Sequence, residues 1–184
     1  TQGVSSAASD VYKRQELVMN KFSRALRHLS TTRYSGKKAF PCATLTAIQK
    51  AIASGEAVHR AEIRLIVEPA LEFSAIVAGI SSRERAHELF SQYRIWDTEE
   101  NSGILIYIDL ADHQVEIVAD RGISRVIPQH HWHAVCKTMT SGFAKGEYHD
   151  SVIAGIQQLN AALQEHFPEN GAQANQLSNK PILL

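Results

Sequence analysis

Cysteine is scarce in this chain: 184 residues carry two, Cys42 and Cys136. They lie far apart and form no Cys-x-x-Cys spacing, so they read as small buried thiols in a reducing compartment rather than as a disulfide. Charge of either sign is not in excess, with 19 basic residues against 19 acidic ones. A phosphate backbone therefore has no compositional counterpart, which argues against nucleic-acid binding. No apolar run approaches the roughly 20 residues that span a bilayer, and no basic-then-apolar leader opens the chain. Nucleophile signatures are missing as well. There is no Cys with an Arg six positions on, no Asp-x-Asp pair, no Gly-rich phosphate cradle ending in Lys and Ser or Thr, and no Gly-x-Ser-x-Gly elbow.

What is present is an ordinary globular composition, 44% hydrophobic and 21% charged, at a length that fits one domain. Nine histidines make the charge responsive to mild acid. The organising stretch is Ile95 to Ile123. Within it Ile104 to Ile108 is an unbroken run of large and β-branched residues, too short for a helix, which predicts a strand buried on both faces. Asp112 and His113 turn the chain, and Val115 to Ala119 returns as the second arm of an antiparallel hairpin.

The remaining elements follow from periodicity and punctuation. Residues 1–15 have no apolar period and are set aside as non-native or unstructured. Val18 to Leu29 places Val18, Phe22, Leu26 and Leu29 at helical spacing, with Arg24, Arg27 and His28 elsewhere on the wheel. This predicts a helix packed by its apolar stripe on the edge of the core. The competing reading is a basic surface for a membrane or a partner. Ser30 to Ala39 reads as a polar linker. Leu45, Ile48 and Ile52 predict a helix ending at Gly55. Glu62 to Glu68 is the first strand, stopped by Pro69. Leu71 to Ile80 is compatible with a loop or part of a helix. Ser81 and Ser82 offer N-caps for a helix over Arg83 to Tyr93, and strand, helix, strand in this order predicts a right-handed parallel crossover. Helices over Gln129 to Phe143 and Tyr148 to Phe167 complete the domain. Residues 170–184 read as a polar, unstructured tail.

Several runs together resemble the TPM domain, often labelled TPM phosphatase: Trp96-Asp97-Thr98-Glu99, Asn101-Ser102-Gly103-Ile104-Leu105-Ile106-Tyr107, and Val115-Glu116-Ile117-Val118-Ala119-Asp120-Arg121-Gly122-Ile123. The resemblance runs from about Phe40 to Pro168 and includes Arg83-Glu84-Arg85-Ala86 and the Phe143, Gly146, Gly155 pattern. It implies an α/β/α sandwich, which agrees with the pattern reading: a small mixed, Rossmann-like sheet with helices on both faces. The expected organisation is an N-terminal helix and linker over 16–39, the α/β domain over 40–168 and a tail over 169–184. Many relatives carry a signal segment or an anchor, so the chain is expected to be a soluble, cytoplasmic, bacterial variant.

Strand direction sorts the polar residues into two groups. Glu68, Asp109 and Asp112 belong to the carboxyl end of the parallel pair, where ligands of open α/β sheets often sit. Asp97, Glu99, Asn101, Asp120 and Arg121 gather at the opposite end. The second group is denser and offers the oxygen ligands that Ca²⁺ or Mg²⁺ takes. Asp97, Asn101 and Asp120 are therefore the candidate cation ligands, with Glu68, Asp109 and Asp112 as the alternative set. Capping of turns, solvation and pairing with Arg121 would account for the same acids without a metal. His130, His131 and His133 admit a zinc reading, but nothing elsewhere completes a ligand set. Two functions remain open. One, implied by the resemblance, is a metal-assisted phosphatase-like hydrolase, with Arg121 and Arg83 offsetting phosphoryl charge and the catalytic residues unassigned. The other is a non-catalytic module that binds a cation or a protein partner, in quality control or assembly at the membrane.

Overall fold

The computed structural model describes residues 22–171 and 175–184. A four-stranded mixed sheet, in the order β3-β2-β1-β4, carries the architecture. It comprises β1 (Glu62–Glu68), β2 (Gly103–Asp109), β3 (Gln114–Ala119) and the short β4 (Ile182–Leu183). β1 and β2 run parallel with Glu68 opposite Asp109, as the crossover predicts. β2 and β3 form the antiparallel hairpin, with Ile106 opposite Ile117.

The continuous apolar character of β1 and β2 is explained by burial on both faces. Ile63, Leu65, Val67, Ile104, Ile106 and Ile108 point into the larger core. There they meet α3 (Cys42–Glu56), α7 (Gln129–Phe143) and α8 (Tyr148–His166) through Ile48, Ile52, Val135, Met139, Phe143, Ile156 and Leu159. The alternate residues Ile66, Leu105 and Tyr107, with Val118 of β3, meet Ala86 and Leu89 of α5 (Ser82–Gln92) and Ile95. This is a three-layer α/β/α sandwich with one thick and one thin helical layer. Helix α5 starts where Ser81 and Glu84 form a reciprocal capping box, the hydrogen-bond logic of Ser-x-x-Glu. Within Leu71 to Ile80, α4 (Phe73–Ala78) is a short helix closed by Gly79 at φ 77°, so the helical alternative holds.

Four expectations need correction. First, the described part of the N-terminal helix, α1 (residues 22–30), is inverted. Phe22, Leu26 and Leu29 are 66%, 52% and 63% exposed, while Arg24, Arg27 and His28 face the protein and meet Asp112. Electrostatic pairing decided the orientation that hydrophobic periodicity assigned the other way. Positions 18–21 of that expectation lie outside the described residues, as do 1–15. Second, the supposed linker contains α2 (Arg33–Ala39), started by a Thr32–Ser35 capping box. Third, the C-terminal segment is not unstructured in its described part. The Glu62 carboxylate accepts from the amides of Gln176 and Leu177 at 3.1 and 3.0 Å, Asn179 donates to Glu56 at 2.5 Å, and β4 pairs parallel with β1. Polar composition concealed a segment held by backbone amides. Fourth, Cys42 is exposed and only Cys136 is partly buried; both are free thiols. A short helix, α6 (Arg121–Ser124), follows β3.

Candidate functional site

At the carboxyl end of the parallel strands the carboxylates are buried and already matched. Glu68, whose side chain is 7% exposed, takes a bidentate pair from Arg85, Nε at 3.0 Å and Nη2 at 2.8 Å. The Tyr107 hydroxyl donates to it at 2.7 Å. Burial, then the nearby charges of Asp109 and Glu68, hold the Tyr107 phenol well above its ordinary range, so it stays a donor. Asp109 is completely buried and accepts from Ser82 Oγ at 2.9 Å and from the Asp112 amide at 3.2 Å. Burial pushes its carboxyl up despite those bonds. Asp112 is bound by Arg24 Nε at 2.6 Å and Arg27 Nη2 at 3.0 Å, and approached by His28 Nε2 at 3.2 Å. Burial opposes its ionisation, but the bonds from Arg24 and Arg27 and the contact with His28 outweigh that and hold its carboxyl below the usual range.

His28, Asp109 and Asp112 bring potential ligand atoms within 4.8 Å of one another, the one group of three or more His, Cys, Asp or Glu side chains so arranged among the described residues. The donor set nevertheless does not suit a metal. His28 Nδ1 accepts the Leu71 amide at 2.9 Å. The neutral ring then carries its proton on Nε2, the atom that would have to ligate. A metal-bound histidine is ordinarily arranged the other way, donating its second N–H outward. Arg24 and Arg27 also neutralise the charge that would attract a cation. Of the alternative set, Asp109 and Asp112 are thus neighbours, and Glu68 is committed to Arg85 and Tyr107.

The opposite end is less completely matched. β2 begins at Gly103 beside the turn 97–102, and β3 ends beside it. The amide of Asp120 donates to Gly103 O at 2.9 Å and that of Gly122 to Asn101 O at 3.0 Å. This approach needs Gly122, because a Cβ there would lie 2.3 Å from Glu100 O and 2.7 Å from Asn101 O. Asn101 holds the left-handed backbone, φ 52°, which asparagine tolerates better than most residues. Thr98 Oγ1 accepts the Ser102 amide at 2.8 Å, and Arg60 pairs with Glu100. Asp120 is 9% exposed. Its Oδ1 accepts the Arg121 amide at 2.6 Å, whereas Oδ2 is buried without a hydrogen-bond partner among the described residues. Asp97 and Glu99 are exposed on the turn, and Asp97 does not join Asp120 in a three-ligand group of acids. Of the predicted trio, Asp120 is buried at the end of β3, while Asp97 and Asn101 stand exposed on the turn beside it.

The two arginines assigned to phosphate sit in different surroundings. Arg83 Nη1 donates to Ile117 O at 2.7 Å and meets Glu116 at 3.4 Å, bracing the edge of β3. Arg121 is exposed at the start of α6. His130 and His131 stack at 4.1 Å, and His131 meets the His166 ring at 5.5 Å; the histidines of α7 form no three-ligand group among the described residues. Arg24, Arg27, His28, Ser82, Arg85 and Tyr107 were not legible as site residues. The partners of Asp112 lie 85 and 88 positions away, beyond the reach of any spacing rule.

The TPM domain profile matches residues 35–162. Among curated proteins no sequence match was found. The fold is similar to the BA42 protein of the psychrophilic bacterium Bizionia argentinensis, at TM-score 0.69 and 25% identity over 78% of this chain and 94% of that one. It is also similar to the N-terminal domain of the cg2496 protein of Corynebacterium glutamicum, at TM-score 0.51 and 10% identity over 74% and 82% of the two chains, a likeness of fold alone.

Proposed function

The chain belongs to the TPM domain family, and we propose that it uses this fold as a non-catalytic binding module whose divalent-cation site lies at the Asp120 end of the sheet. The observation that carries the reading is the buried, unpartnered Oδ2 of Asp120. A buried carboxylate oxygen left without a partner costs about 1–3 kcal/mol or more, and a hard cation with oxygen ligands offsets that cost. Asp120 would supply the anchoring carboxylate, the Asn101 side chain a neutral oxygen and Asp97, exposed on the turn, a second carboxylate. Ca²⁺ and Mg²⁺ are the ions suited to such donors. The cation would link the turn 97–102 to the end of β3.

The phosphatase-like reading receives less support from the geometry. At the carboxyl end Ser82 donates its proton to a buried Asp109 with no free base beside it, and each carboxylate there is bound by cations or amides. Water activated by a cation at Asp120 would be the remaining route, with Arg121 the nearest of the two arginines in sequence.

Calorimetric titration of Ca²⁺ and Mg²⁺ into the protein and into Asp120→Asn tests the module. Binding to the parent that falls at least tenfold in the variant is the expected result. Undiminished binding in Asp120→Asn combined with loss in Asp112→Asn would move the site to the other end. Turnover of a generic phosphate ester that chelator abolishes would replace the binding reading with the hydrolase.

A further inference from the structure

We infer that α1 and α2 form a docking surface for an anionic lipid bilayer. At 100° per residue, Phe22, Leu26 and Leu29 share roughly 60° of arc on α1, the face opposite Arg24, Arg27 and His28. Those three polar residues are occupied at Asp112, so the apolar stripe is turned outward. A helix held by its polar face, with two leucines and a phenylalanine more than half exposed, is the reverse of one built to complete a core.

Charge complementarity selects the occupant. Residues 22–40 contain Arg24, Arg27, Arg33, Lys37 and Lys38 and no Asp or Glu, in a chain whose formal net charge is zero. Arg24 and Arg27 are consumed internally, while Arg33, Lys37 and Lys38 are exposed on α2. Between them stands Tyr34, 76% exposed. Tyr34 and Lys38, with Thr31, Ser35 and His113, also line an open cleft of about 600 Å³. Apolar side chains flanked by lysine and arginine, with an amphipathic ring between them, match the acyl boundary and anionic headgroups of a bilayer surface. No helix among the described residues is long and apolar enough to cross a membrane; the contact inferred for α1 and α2 is with the bilayer surface. The surface is separate from the Asp120 turn and does not depend on a cation there.

Flotation of the full chain with vesicles tests this. The protein should float with phosphatidylcholine vesicles containing about a third phosphatidylglycerol and not with phosphatidylcholine alone, and added salt should weaken the binding. Leu26→Glu/Leu29→Glu and, separately, Lys37→Gln/Lys38→Gln should each weaken it by roughly tenfold or more. Circular dichroism and the urea midpoint should stay near the parent values, because the Arg24 and Arg27 contacts remain. Equal flotation with neutral vesicles, or unchanged flotation of both variants, overturns the proposal. So does light scattering that finds a dimer which Leu26→Glu/Leu29→Glu dissociates, since the stripe would then be covered by a second copy.

Discussion

Replacing Arg85 with Met isolates the electrostatics at the carboxyl end of the sheet. The substitution keeps most of the aliphatic stem and removes both hydrogen bonds to Glu68, at 3.0 and 2.8 Å. The carboxylate left behind is 7% exposed and retains only the Tyr107 hydroxyl, at 2.7 Å. Breaking one partner of a buried pair costs roughly 3–5 kcal/mol. Arg85 is itself 24% exposed, so water reaches the vacated space, and a cost near the lower limit, about 3 kcal/mol, is expected. For a domain of this size that corresponds to a fall in Tm of roughly 6–12 °C. Urea unfolding followed by tryptophan emission would measure it, with the m value unchanged if the transition stays two-state. The double variant Arg85→Met/Glu68→Gln completes the cycle: Gln still accepts from Tyr107 but leaves no unpaired charge, so it should recover at least about 1 kcal/mol. A single-variant loss below about 1 kcal/mol, or strictly additive effects, would refute the claim that Arg85 exists to neutralise a buried Glu68.

The Asp120 titration described above has a steric companion. Gly122→Ala places a methyl 2.3 Å from Glu100 O, so it should cost about 1–3 kcal/mol in chemical denaturation and weaken any cation binding at the turn. Glu56 tests linkage. Burial lifts its carboxyl from an ordinary 4.5 to about 7, so the folded state holds this proton more tightly than the unfolded state does. Its contribution is fully present below pH 4.5 and is lost as pH rises towards and through 7. Across that window, at about 1.4 kcal/mol per pKa unit, Glu56→Gln should flatten the stability profile by up to about 3 kcal/mol relative to the parent; parallel profiles would contradict it. Thiol labelling of the native protein should be biphasic. Cys42 is exposed and fast, whereas burial pushes the Cys136 thiol up to about 11 and leaves it slow; two equally fast thiols would contradict that burial.

Much of the architecture was decided by short-range patterning. The run Ile104 to Ile108 specified a strand covered on both faces, and its hairpin with Val115 to Ala119 needed only a short turn. Strand, helix, strand then implied parallel pairing, which put Glu68 beside Asp109 and Asp120 at the far end. Ser81 and Glu84 announced the start of α5 because a capping box is local chemistry. What tertiary structure decided was whatever depended on distant partners. The wheel of α1 showed two faces but could not choose between them, because the choice rests on Asp112, 85 positions after Arg27. The segment 175–184 showed no strand pattern, because the carboxylates of Glu62 and Glu56, more than 110 positions earlier, hold it against β1. The approach of the turn 97–102 to the end of β3 follows from a backbone fit at Gly122 that allows no side chain. Periodicity reports how an element divides into faces; only the assembled charges and close contacts determine which face is turned inward.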